Sequence, residues 1–131
     1  AAQASKSLRV AVQHSDAVVC LGEEDKGIED SLPAFRTRME RLDEICVEEG
    51  RDPGSLRRCY FAGWAAEPIF ASVDATADLV GRYVEAGATD FTFYLHNPSD
   101  PLLDDFLGSH RAATRDQLEK VAADVFPEFR D

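Results

Sequence analysis

The chain has 131 residues, 44% of them hydrophobic and 30% charged, a balance that fits one globular domain with one modest core. Fourteen Lys and Arg against 25 Asp and Glu give a net charge of -11. That acidity argues against nucleic acid or an anionic membrane surface as a partner, because both reward clustered positive charge. There is no basic-then-apolar leader and no apolar run of about 18 residues, so no secretion signal or membrane span is read.

Residues 5–14 place Leu8, Ala11 and Val12 on one side of a short helix. Asp16 then leads into a strand over 17–21, a continuous apolar run closed by Gly22 and suited to burial on both faces. After the acidic stretch Glu23-Glu24-Asp25, residues 31–49 carry Leu32, Phe35, Met39, Leu42, Ile45 and Cys46 at helical spacing. Asp30 or Ser31 would start this helix, Pro33 would fall in its first turn and Gly50 would end it. A second, aromatic-rich strand is expected over 58–64. A helix over 72–86 follows, capped by Ser72 and stopped near Gly87, then a third strand over 90–95. Asn97-Pro98-Ser99-Asp100-Pro101 breaks the chain, and a last helix runs over 112–125, ahead of Pro127.

Whole helices between strands require parallel pairing, because a hairpin cannot join such strands. The fold class is therefore α/β, with three parallel strands alternating with helices in a single domain over 1–131. A sheet of three strands has open edges, so a complementary chain or a homodimer is expected to complete it.

Three cysteines, Cys20, Cys46 and Cys59, cannot all pair with one another, and none stands at metal-ligand spacing. Reduced thiols, no metal and a cytoplasmic setting are the expectation. The chain begins with Ala1 rather than Met, as expected of a fragment, a processed product or a trimmed chain.

Four stretches carry a family likeness. They are Ser7-Leu8-Arg9-Val10-Ala11 with Ser15-Asp16; Gly50-Arg51-Asp52-Pro53; Phe70-Ala71-Ser72-Val73-Asp74 through Gly81-Arg82-Tyr83 to Glu85-Ala86-Gly87, with 89–94 after it; and Lys120-Val121-Ala122 to Val125-Phe126-Pro127-Glu128-Phe129-Arg130. In this order they resemble the C-terminal part of the luciferase-like monooxygenases, which are (β/α)8 TIM-type barrels. The resemblance implies strands six to eight of a barrel that needs about 250 residues. It also implies an oxidoreductase that uses reduced flavin (FMN) or the 8-hydroxy-5-deazaflavin coenzyme on a small-molecule substrate, with the isolated chain inactive.

In such barrels the chemistry sits where the strands end. The resemblance therefore puts Cys20, Gly22, Trp64, Tyr94 and His96 around a substrate pocket. Trp64 could equally fill a barrel interior, Cys20 could be a small core residue, and His96 could be an ordinary loop histidine. The family holds its cofactor phosphate with a Gly pair at a helix start, where amides and the helix dipole favour an anion. Here Gln3 and Ala4 stand in place of that pair, leaving Ser5 and Lys6 as phosphate candidates. No catalytic residue is assigned, because the cofactor carries such chemistry. His14 and His110 read as solvated, as do the acidic pairs, Asp104-Asp105 included.

Two other readings remain open. One is a non-catalytic half-barrel that works by self-assembly or with a complementary chain. The other is an unrelated small α/β binding domain, which a non-sequential strand order would indicate.

Overall fold

A computed structural model describes residues 5–108 and 111–130. The elements are α1 (Ser5–His14), β1 (Ala17–Leu21), α2 (Ile28–Glu48), β2 (Arg57–Ala62), α3 (Val73–Glu85), β3 (Asp90–Phe93), α4 (Pro101–Leu107) and α5 (Arg115–Asp124). The three strands form one parallel sheet in the order β1-β2-β3. The mixed α/β architecture read from the sequence is therefore present, and the strand order is sequential.

Strand alternation divides the sheet into two unlike faces. Val18, Cys20, Tyr60 and Ala62 point to the helices and are at most 2% exposed. Against them α2 packs Phe35, Met39, Leu42 and Ile45, α3 packs Leu79, Val80 and Tyr83, and α1 adds Leu8 and Val12. Each such side chain contributes about 1.5–3 kcal/mol by leaving water. The opposite face carries Ala17, Val19 and Leu21, paired in register with Arg57, Cys59 and Phe61. It stays open: Val19 is 45% and Tyr94 41% exposed.

Several boundaries differ from the expectation, each for a local reason. Helix α2 begins at Ile28 on a Gly27 cap, one turn early, so Pro33 lies inside it. Pro33 removes one bond to the Glu29 carbonyl, and because both residues are exposed, water can satisfy that oxygen. Ser31 starts nothing; it is buried, and its hydroxyl accepts the Glu23 amide at 3.0 Å.

Strand β2 stops at Ala62 rather than 64. Gly63 turns the chain away at φ +102°, and a Cβ there would sit 2.4 Å from the Tyr94 carbonyl oxygen. With β2 finished, β3 also ends early, at Phe93. The Tyr94 amide makes the last bond to that strand, at the Ala62 carbonyl (2.8 Å). His96 instead exchanges backbone bonds with Arg111 and Ala113.

Helix α4 was not anticipated, although its signal is local. The Asp100 carboxylate caps the Leu102 and Leu103 amides, and Pro101 occupies the first turn. Helix α5 starts at Arg115 rather than 112 because Thr114 and Gln117 form a reciprocal capping box. Among the described residues, no helix is long and apolar enough to cross a membrane.

Candidate functional site

At the carboxyl ends of the strands lies a cleft of about 360 Å³ lined by Glu24, Phe61, Trp64, Tyr94, Phe106 and Arg111. Phe61 belongs to the open sheet face, and its ring stacks with that of Tyr94 at 6.1 Å and 28°. Trp64 stands on the loop that Gly63 turns outward, and Phe106 projects from α4 with 85% exposure. Arg111 ties the loops together. Its guanidinium donates to the Gly63 carbonyl, donates to the Trp64 carbonyl at 3.1 Å and lies 5.9 Å from the Tyr94 ring centre.

The arrangement is a cleft of four aromatic side chains with one cation, Arg111, and one carboxylate, Glu24. Hollows of about 480 and 530 Å³ lie elsewhere. The first is lined by the loops that follow β2 (Pro68, Phe70, Ala71) and β3 (Pro98) and by the start of α5, and it carries none of the aromatic residues of the cleft; the second lies beside the C-terminal turn.

Of the residues expected around a substrate pocket, Trp64 and Tyr94 do line the cleft, while Cys20, Gly22 and His96 do not. Cys20 has the parity of the helix-covered face and is 1% exposed, so it is a core residue. Burial pushes its thiol pKa up, which removes thiolate reactivity. Gly22 is buried against the Tyr60 hydroxyl and the Ala65 methyl, where a Cβ would come within 2.5 and 2.6 Å. His96 is buried beneath α4; its Nε2 lies 3.2 Å from the Asp104 carboxylate, and its Nδ1 has no hydrogen-bond partner among the described residues.

Ser5 and Lys6 line a separate hollow along α1 with Arg9, Val10 and Gln13. Gln3, Ala4 and His110 lie outside the described residues. Phe61 could have been found by carrying the two-residue strand period from Val19 across the register. Arg111 has no local signal, since a loop and a helix separate it from β3.

A second polar constellation lies under the helices and was not foreseen. The Tyr60, Tyr83 and Glu67 side chains meet with their oxygens at hydrogen-bond distance in all three pairings. Tyr60 to Glu67 is 2.8 Å, Tyr83 to Glu67 is 2.6 Å and Tyr83 to Tyr60 is 2.9 Å. All three residues are at most 1% exposed. The two tyrosine rings stack at 3.7 Å and 15°, and Phe35 meets both edge-on.

Burial raises the Glu67 pKa above the ordinary carboxylate value, against the lowering effect of the two hydroxyls. Both tyrosine pKa values are raised too, first by burial and then by the neighbouring carboxyl. Tyr60 lies on β2, Tyr83 on α3 and Glu67 on the loop between them, and no sequence spacing marks the three as a group, so only the tertiary packing brings them together.

Among the described residues, no group of three or more His, Cys, Asp or Glu is placed to hold a metal ion. The chain matches no known protein family, no curated protein and no solved structure.

Proposed function

We propose that the chain is the C-terminal part of a (β/α)8 barrel oxidoreductase of the luciferase-like type, supplying three strands and one wall of a substrate cleft. The observation that supports this reading best is the bare sheet face. In a closed barrel that face turns inward, and here it carries Val19, Leu21 and Phe61 and runs up into the aromatic cleft at the strand ends. Sequential parallel order is what neighbouring barrel strands require.

The described residues fit a flavin or deazaflavin in part. Phe61, Trp64 and Tyr94 offer aromatic faces to a planar ring. They offer no phosphate cradle beside it: Arg111 is engaged by the Gly63 and Trp64 carbonyls, and Ser5 and Lys6 lie along a different hollow. No reaction step is therefore derived through the cofactor. Residues upstream of the chain would have to supply the anion site, and the isolated chain would be inactive.

Titrating FMN and the 8-hydroxy-5-deazaflavin coenzyme against the isolated chain and an upstream-extended version tests this. The expected result is binding of one cofactor by the extended protein alone. Failure of both cofactors to bind the extended protein would overturn the reading.

The alternative is a non-catalytic half-barrel that pairs with itself or with a complementary chain. It draws on the same bare face and on the unpaired outer edges of β1 and β3.

A further inference from the structure

The Tyr60–Tyr83–Glu67 cluster poses a problem of proton counting. Three oxygen–oxygen contacts of 2.6, 2.8 and 2.9 Å need three protons if each is to be a hydrogen bond. With Glu67 ionised there are only two, one on each phenol. Both phenols would then donate to the carboxylate, and the Tyr83–Tyr60 contact would set lone pair against lone pair in a site without water access. With Glu67 protonated every contact is satisfied in one direction around a ring: Glu67 donates to Tyr83, Tyr83 to Tyr60, and Tyr60 to the second Glu67 oxygen.

The charges around the cluster favour the same state. Arg38 of α2 is the cation felt at Tyr60, but its guanidinium is held by the Leu21 carbonyl and the Glu23 carboxylate. Cys20 on β1 and Ser31 on α2 face the cluster uncharged. Tyr83 is the group that α3 directs at the carboxyl. Lys26, whose carbonyl accepts the Ala66 amide, is exposed. A carboxylate buried here would have no counter-ion against its desolvation.

Glu67 sits on the loop joining β2 to α3, which also carries Trp64 into the cleft. Along that loop burial alternates: Trp64, Ala66 and Pro68 face solvent while Ala65, Glu67 and Ile69 face in. A modest rotation of the loop would therefore bring the carboxyl to water without unzipping the sheet.

We propose that Glu67 is a proton-held latch: as a neutral acid it closes a ring with Tyr60 and Tyr83 that pins the β2–α3 loop, and its deprotonation releases the loop and shifts Trp64. The inference does not depend on which ligand the cleft takes. The sign of its pH dependence follows from the direction of the shift. A carboxyl whose folded pKa lies above its unfolded value, about 4.3 for an ordinary Glu, contributes stability fully below that unfolded value. The contribution is lost as pH rises through the folded pKa.

Carboxyl-carbon NMR of the wild-type chain, with Glu67 assigned through its own bonds, reads the proton directly. The expected result is a Glu67 carbon that titrates above the ordinary carboxylate range. Emission from Trp64, the only tryptophan, should shift over the same pH interval. In Glu67→Gln the amide donates to Tyr83 and accepts from Tyr60, so the ring survives without a titrating group. Its urea midpoint should match or exceed that of wild type at neutral pH, with the difference growing as pH rises, and its tryptophan emission should stay flat. A Glu67 carbon that titrates in the ordinary carboxylate range would overturn the proposal. So would a raised titration with no change in Trp64 emission, since the loop would then not be latched by the proton.

Discussion

Placing alanine at Gly63 would set a methyl carbon 2.4 Å from the Tyr94 carbonyl oxygen, at a φ of +102° that side chains rarely adopt. Gly63→Ala is expected to destabilise the fold by about 1–3 kcal/mol, read as a lower urea midpoint. It should also disturb the cleft, because the Gly63 carbonyl is one of the anchors of Arg111. At this scale the sequence was partly legible. Trp64 and Tyr94 follow strand ends and so could be placed near any strand-end cleft. Cys20 was misplaced because its strand was recognised but its parity was not: one residue's shift moves a side chain from the cleft side to the core. Glu67, in a loop rich in small residues, carried no pattern at all. Its neighbours Tyr60 and Tyr83 come from elements separated by the very loop that holds it.

The start of α3 was readable because its cap is a local hydrogen bond between residues three apart. Ser72 caps α3 as expected, with its hydroxyl accepting the Ala75 amide at 3.0 Å. At α5 the Thr114 hydroxyl accepts the Gln117 amide at 3.2 Å, and the Gln117 side chain accepts the Thr114 amide at 2.7 Å. Gln117 also donates to the Phe70 carbonyl at 3.2 Å, which ties α5 to the turn before α3. Thr114→Ala is accordingly expected to cost about 1 kcal/mol, with faster amide exchange confined to the first turn of α5. The early start of α2 was hidden because a lone glycine cap lacks the side-chain signal that Ser or Asp provides. Strands β2 and β3 end earlier than expected because Gly63 and Trp64, and Tyr94 and Leu95, continue an apolar and aromatic run after the ladder has stopped.

For the molecule as a whole, the parallel three-stranded sheet followed from helices interposed between strands, and that inference needed no tertiary knowledge. What periodicity could not show is that only one sheet face is covered. The apolar run of β1 suggested burial on both faces, yet Val19 is 45% exposed while Val18 is 2% exposed. A bare face of this kind favours association, so the isolated chain is expected to sediment as more than a monomer. Val19→Lys, which adds a charge on that face without touching the helix-side core, should shift sedimentation toward the monomer and leave the unfolding midpoint within about 0.5 kcal/mol. A wild-type chain that sediments as a monomer at high concentration would count against both the barrel fragment and the self-assembling half-barrel.

The strand order also bears on how the molecule is made. Strands β1, β2 and β3 pair in the order in which they are synthesised, and each crossover helix lies between the two strands it joins. On leaving a ribosome, β2 and then β3 therefore each meet a partner already made. Growth proceeds from a single moving edge. The outer edge of β1 looks back toward earlier synthesis and that of β3 toward later, so the sheet can be extended on either side without reordering the strands it already has.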